Sequence, residues 1–397
     1  MKRDSMASLE RVLARRLDEL GGVSEEKDAL TRTFLSAAMG QAHGLVGRWM
    51  MEAGLEVSVD ATGNLIGRME AAAPGAKTLL LGSHLDTVRN AGRFDGALGV
   101  VLPIVALAEL RRRGVRLPFA VEVIGFSEEE VVRFPCAYIG SKGYAGRLRA
   151  SDLKVRDGAG ATLREALETF NQGAFALPKP AHAARELLGY AEVHIEQGPV
   201  LEDEGLAVGV VSAIASQVRG KLTFRGRAGH AGTTPMRLRR DALAGAAEFI
   251  LLTEEFARAR EPLVATVGTI EVPQSATNVI PGAAVMSLDV RHPRDAEGAR
   301  AVKELVKHAQ QIARRRGLAC EWEETMRHAA TPCARALTTV LGESVQAVQG
   351  RSVSLVSGAG HDAVVMAEIA PVAMLFVRCR GGLSHHPDEY ASPADMG

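Results

Sequence analysis

Four apolar runs in this chain end in side chains that can do chemistry. His84 and Asp86 follow KTLLLGS; Glu128, Glu129 and Glu130 follow VEVIGF; His194, Glu196 and Gln197 follow YAEV; His385 and His386 follow AMLFVRCRGGLS. Asp95 stands in the glycine-rich turn NAGRFDGALG. In an open α/β sheet, ligands bind outside the carboxyl ends of the strands, so these residues gather at one edge. Taken singly, a histidine is more often structural than a ligand. Histidines and carboxylates recurring at strand ends are not what independent core packing produces. Nitrogen and oxygen donors without sulfur suit zinc, manganese, cobalt or nickel, and sites of this kind with a bridging carboxylate hold two ions.

The residue types fit a hydrolytic task. Two cations held about 3.5 to 4 Å apart by a shared carboxylate lower the pKa of water from about 15.7 towards about 7. A second carboxylate, not ligated, then takes the proton and delivers it to a leaving nitrogen. Adjacent glutamates at one strand end can divide these two jobs. Asp86, two residues beyond His84, points the same way along the strand and is placed to accept the other ring N–H, fixing the tautomer.

The elements that position these residues alternate. From about residue 75, short apolar strands (KTLLLGSHLD, FAVEVIGF, YAEVHIEQG, PVAMLFVRC) are separated by helical stretches such as LGVVLPIVALAELRRR. That pattern predicts an α/β domain on a mostly parallel sheet. Between about residues 213 and 330 the order changes to strand (QVRGKLTFRGRAG), helix, strand (LVATVGTIEV), strand (AAVMSLDVRH), helix and strand (LACEWEETMRH). This βαββαβ order is the ferredoxin-like pattern. The expected organisation is residues 1–212 and 331–397 forming the catalytic domain, with 213–330 inserted. The stretch from about 150 to 185 reads as a long irregular loop containing one short helix, TLREALETF.

Composition narrows the field. The 397 residues fit two domains of ordinary size. Lysine plus arginine (47) equals aspartate plus glutamate (47), which gives no pull towards nucleic acid or an acidic membrane. The clusters Arg111 to Arg113, Arg237 to Arg240 and Arg314 to Arg316 are short and read as solvated helix surface. No run reaches the roughly 18 to 20 apolar residues of a membrane helix. The N-terminus, MKRDSMASLERVLARRLDEL, is an amphipathic helical pattern without an export signal. Cys136, Cys320, Cys333 and Cys379 are scattered, which points to a reducing cytoplasm and away from disulfides or zinc–thiolate ligation.

The segments GSHLDTV, GRFDGALG, EEEVVRFP, HIEQGPVLE, GHAGTTPM, TNVIPG, DVRH, SGAGHDA and GLSHHPDEY run in order from about residue 45 to residue 393. Together they resemble the dimetal amidohydrolases that include allantoate amidohydrolase, N-carbamoyl-L-amino-acid hydrolase and β-ureidopropionase. That family lies in a wider clan with aminoacylases and carboxypeptidase-like dipeptidases. The resemblance implies two divalent ions, zinc or manganese with cobalt or nickel as alternatives, on His84, Asp95 (the bridge), Glu130, His194 and His385. It implies Glu129 as general base, with Glu128 a dispensable neighbour. The inserted domain would serve as lid and dimerisation domain of a homodimer. Its His230 would polarise the scissile carbonyl, reaching the site of a partner subunit, and Gln197, Asn278, Arg291 and His361 would bind substrate. Read without the family, Asn278 serves equally well as a turn cap before Pro281, and Arg291 as an exposed strand residue. His43, His182, His292, His308 and His328 fall in no motif and read as structural or surface residues, and His386 as a neighbour of the ligand His385.

The implied reaction is hydrolysis of a carbamoyl C–N bond in a small ureido carboxylate. The style of EEE-RFP and FVRCRGGLSH favours allantoate, with the carbamoyl-amino-acid and β-ureidopropionate activities as alternatives. A peptidase or aminoacylase of the clan and a non-catalytic binding homologue stand further off. Two departures from the family pattern carry expectations of their own. Val131 stands where relatives have glycine, so either the loop bends differently or the glycine was never conformationally required. ASPADMG opens a helix with Ser392 as N-cap and Pro393 at the first position, and then ends. Relatives continue with a helix, so a shortened chain and a looser sheet edge near His385 are expected.

Overall fold

The computed structural model describes residues 2–397, with side chains from residue 9 onward; Met1 lies outside the described residues. The chain divides into two compact units, Met1–Ser212 with Cys333–Gly397, and Ala213–Pro332.

The first unit is built on a twisted sheet whose middle is parallel. Ala120–Phe126, Thr78–His84, Leu187–Ile195 and Val372–Val377 lie side by side in that order, all parallel. Antiparallel strands flank them, Leu65–Met69 and Glu56–Val59 on one side and Val208–Ile214 on the other. Ala120–Phe126 is buried at every position, as a strand covered on both faces must be. From Thr78–His84 the chain crosses through the helix Ala97–Arg112 to Ala120–Phe126, while Leu187–Ile195 pairs on the opposite side. The connections therefore diverge between the strands ending at His84 and Ile195. This is the switch point where an open α/β sheet leaves a crevice.

Helices Lys2–Gly21, Ala37–Ala53 and Ala97–Arg112 share one core around Leu17, Met39, Trp49, Val100 and Ile104. Ser36 caps the second helix by accepting from the Met39 amide at 3.1 Å, and Gly54 ends it in the left-handed conformation (φ 89°). The 150–185 stretch is more ordered than a loop. Its helix Leu163–Phe170 opens on a capping box between Thr162 and Glu165. Leu153, Leu163, Leu167 and Phe175 pack with Phe34, Phe134 and Ile139 into a separate small core.

In the second unit the strands run Ile270–Glu271, Ala283–His292, Ser216–Arg225, Ala319–His328, all antiparallel, with Val264–Thr266 also paired to Ala283–His292. Burial alternates residue by residue along Ala283–His292 and broadly along Ser216–Arg225. One face therefore packs under helices Ala242–Arg258 and Asp295–Arg316, and the other presents Gln217, Arg219, Asp289 and Arg291. LVATVGTIEV was expected as one strand and forms two. The amides of Gly268 and Thr269 turn aside to the Ser287 hydroxyl, at 3.2 and 2.9 Å, and interrupt the ladder. The C-terminal turn forms as expected, with Ser392 capping Pro393–Met396 and Asp395 paired to Arg378 at 2.7 Å.

Candidate metal centre

The switch-point crevice collects the strand-end residues around Asp95. Its Oδ1 lies 3.0 Å from His194 Nε2 and 3.5 Å from His84 Nε2; its Oδ2 lies 3.3 Å from His385 Nε2. Glu130 Oε2 is 3.6 Å from the same His385 nitrogen. His84, Asp95 and His194 form one group of donors within 4.8 Å of one another, and Asp95, Glu130 and His385 form a second. The two oxygens of Asp95 thus face two different donor groups, the arrangement a bridging carboxylate requires. The donors are nitrogen and oxygen without sulfur, and the set fits a pair of divalent ions. His84, Glu129 and Glu130 make a third, overlapping group.

Close packing makes room for these rings. Gly96 sits at φ 66°, and a Cβ there would fall 2.4 Å from His84 Cε1, so only glycine lets the turn carrying Asp95 approach the histidine. The two buried histidines that face Asp95 are each oriented by a main-chain carbonyl. His84 Nδ1 meets the carbonyl oxygen of Asp86 at 3.0 Å, and His194 Nδ1 that of Ile195 at 2.9 Å, leaving both Nε2 atoms turned to Asp95.

The expected role of the Asp86 carboxylate needs correction here. It is 3.7 Å from His84 Nδ1, whereas it accepts the amides of Glu129 at 3.1 Å and Glu130 at 3.0 Å. The tautomer is set by the Asp86 backbone, while its side chain aims the glutamate pair. Glu128 is likewise no spectator. It is fully buried, and its Oε1 accepts the amides of Arg133 at 2.9 Å and Phe134 at 2.6 Å, closing the loop that follows. Val131 takes up the left-handed conformation itself (φ 57°), so neither expectation for it holds: the bend is glycine-like and a valine bears it. Glu128, Tyr138, Gln197 and His385 are also left-handed. Leu35, Asn90, Gln172 and Gln274 share that conformation elsewhere, so the strain marks this crevice only together with its donors.

The electrostatics are unbalanced. Burial pushes the Glu129 carboxyl well above its ordinary range and Glu130 up to about 7, with neighbouring carboxylates adding to both. Burial acts the same way on Asp95, but its contacts with His194, His385 and His84 hold it well below that range. The contact with Asp95 raises His385 to about 9. Beneath the crevice lies a second layer that sequence reading missed. Asp362 accepts from the Ser141 hydroxyl at 2.6 Å, and Glu192 from Ser83 at 2.7 Å. Asp362 Oδ2 is buried without a hydrogen-bond partner among the described residues. Asp362 follows His361 in SGAGHDA, so the motif pointed to it.

The remaining predicted residues fall in three places. Gln197 joins the crevice, its amide nitrogen 2.9 Å from Asp95 Oδ2. His361 is buried there, its Nε2 2.8 Å from the Ser357 hydroxyl and its ring edge-on to His194 at 4.5 Å. Glu196 is not part of the site, because it caps the next turn by accepting the Val200 and Leu201 amides. His386 is half-exposed and accepts the Asp388 amide at 3.1 Å. In the second unit, His230 and Asn278 sit together and are exposed. The short ladder Gly229–His230 with Val279–Ile280 joins them, and the Ala231 amide donates to the Asn278 carbonyl at 2.9 Å. Arg291 stands apart on the polar face of the sheet, where its guanidinium forks onto Asp289 with two contacts of 3.0 Å. Its clamp already holds a carboxylate from its own strand.

Comparison with known proteins places this geometry. Residues 80–397 match the profile of peptidase family M20/M25/M40. The chain is 40% identical to allantoate deiminase 2 of Glycine max over 96% of its own length and 85% of that protein. It is 39% identical to an N-carbamoyl-L-amino acid amidohydrolase of Geobacillus stearothermophilus, over 96% of this chain and 94% of the other. The crystal structure of a hydantoinase/carbamoylase family amidase from Burkholderia multivorans superposes with a TM-score of 0.91 at 33% identity, covering 98% of this chain and 94% of that one.

Proposed function

We propose that this chain, which belongs to peptidase family M20/M25/M40, hydrolyses a ureido C–N bond of allantoate with the help of two divalent metal ions. The observation that carries the reading is Asp95, whose two oxygens face separate donor groups while Glu129 stands beside the ligand Glu130. His84, Asp95 and His194 would hold one ion; Asp95, Glu130 and His385 the other. Bound there, zinc or manganese supplies Lewis acidity towards the carbonyl and acidifies water.

The chain's own residues do the rest. Glu129 takes a proton from the attacking water and passes it to the leaving nitrogen as the C–N bond breaks. Having taken that proton, Glu129 is the acid for the second transfer. Asp86 holds the amides of both glutamates, so the base keeps its aim while the proton moves. The carbamate that is released breaks down to ammonia and carbon dioxide. The motifs in the second unit support His230 as the group polarising the carbonyl, acting from a partner copy in a homodimer. The motifs HIEQG and SGAGHDA of the first unit likewise support Gln197 and His361 as substrate contacts, and TNVIPG and DVRH of the second support Asn278 and Arg291, with Arg291 exchanging Asp289 for the substrate carboxylate. Four unpaired cysteines support a reducing, cytoplasmic setting. Among the described residues no helix is long and apolar enough to cross a membrane.

A second reading, hydrolysis of N-carbamoyl-L-amino acids, is favoured by the 39% identity to the Geobacillus enzyme. Ammonia release from allantoate and from N-carbamoyl-L-amino acids by zinc- or manganese-loaded protein separates the two. Release from the carbamoyl amino acids alone would select the second. Glu129→Gln is expected to lower kcat by about 100- to 10,000-fold, and full turnover by that variant would overturn the assignment of the base.

A further inference from the structure

The two donor groups that share Asp95 are supported in different ways. His84 and His194 each have a ring nitrogen tied to a main-chain carbonyl of their own strand end. His385 has no such tie among the described residues, although its side chain is half-exposed and its backbone is left-handed at φ 56°. What stands on its side is a belt of three residues that sequence reading left without this role.

Glu389, almost fully buried, reaches back under the turn carrying the bridge. Its Oε1 accepts the amides of Phe94 at 2.9 Å and Asp95 at 3.0 Å. Its Oε2 lies 3.0 Å from the Ser384 hydroxyl, which also lies 2.8 Å from Asp95 Oδ2 and shares its one proton between the two carboxylates. Gln197 completes the belt, its amide nitrogen 2.9 Å from Asp95 Oδ2, 3.1 Å from Ser384 Oγ and 3.4 Å from His385 Nε2. The Glu389 amide also donates to the His386 carbonyl at 3.0 Å, pinning the far side of the histidine loop. The turn is shaped for this approach, since a Cβ on Gly92 would fall 2.3 Å from Glu389 Cβ. Every side-chain contact of the belt with Asp95 is to Oδ2, the oxygen facing His385.

We infer that Glu389 and Ser384 are positioning residues for one ion of the pair: they hold Asp95 Oδ2 and the His385 loop in register, and leave the ion between His84 and His194 to its own carbonyl supports. This rests on the dimetal reading above. Partners of this kind behind a ligand are worth about 10- to 100-fold in metal affinity.

The test titrates metal-free protein with zinc against a chromogenic chelator, with circular dichroism confirming the fold. Wild type should take up two ions. Glu389→Ala should keep the tighter ion within threefold and bind the second about 10- to 100-fold more weakly. Glu389→Gln, whose amide oxygen still accepts both backbone N–H groups, should recover most of that loss. Ser384→Ala, which leaves the main-chain contacts intact, should weaken the second ion alone, and it decides the matter if Glu389→Ala does not fold. Wild type taking two ions while the variants bind both as tightly overturns the belt and spares the dimetal reading. Wild type failing to take two ions overturns both. Equal weakening of both ions overturns the asymmetry.

Discussion

Glu122 and the Glu128–Glu130 run belong to one stretch of chain and are all withdrawn from water, yet their carboxyls are driven in opposite directions. Burial pushes each of them up. At Glu122 that push is overcome by His182 at 3.0 Å, the Tyr144 hydroxyl at 2.5 Å and Arg68 at 2.7 Å, and the carboxyl is held down at about 2. At the other end burial prevails, with Glu128 raised to about 8 and Glu130 to about 7. One end of the strand carries a carboxylate whose charge the protein itself neutralises. The other keeps carboxylates together whose charge His84, His385 and Arg133 offset only in part. Buried ionisable groups occur at both ends, so burial alone does not mark the site; charge that the fold leaves unmatched does.

If that contrast is right, substitutions at the two ends should report on different quantities. Asp86→Ala frees the amides that aim Glu129 and Glu130, and should lower kcat about 100-fold with the fold retained. A change under threefold would mean that the glutamates need no such aim. Glu122→Gln should cost about 2 kcal/mol of stability at neutral pH in urea unfolding, because charge-assisted bonds are lost, and leave kcat as it was. Its acid dependence follows from the depressed carboxyl. The contribution is complete above the ordinary glutamate value of about 4.3 and disappears as pH falls through about 2, so the variant and wild type should converge in that window. Convergence on the alkaline side instead would break the comparison. The smallest effect is expected at Val131→Gly. Relief of a left-handed β-branched residue should outweigh the added freedom of the unfolded chain and raise stability by about 1 kcal/mol. A lower thermal midpoint would show that the valine is not strained.

What the sequence disclosed, and what it hid, divides along similar lines. The four parallel strands, their order of appearance and the candidate ligands at their ends follow from local apolar runs and the residues just past them. The ferredoxin-like insertion follows from alternation of period two and period 3.6. Glu128 looked idle because its partners are amides, and an amide carries no sequence signal. The Glu122 cluster joins residues 68, 122, 144 and 182, separations that no local pattern reports. Asp289, by contrast, went unread although a local pattern reports it. It sits two residues from Arg291 on the same strand face, and period two alone brings their side chains together. The split of Val264–Thr266 from Ile270–Glu271 depends on a serine in the neighbouring strand, which only the register supplies.

The small aromatic core around Leu163 and Phe175 has a kinetic meaning. Phe134 belongs to it through its ring and to Glu128 through its amide, which joins a peripheral excursion to the loop that holds the glutamates. Regions with their own limited core open as cooperative units at lower free energy than the whole fold. Each such opening releases Phe134 and with it one of the two amides that keep Glu128 in place. The excursion would then time the opening of the loop that holds the glutamates. Packing changes at Leu167 or Phe175, far along the chain from any ligand, should register as a shorter lifetime of the Phe134 amide in hydrogen exchange before they register in binding.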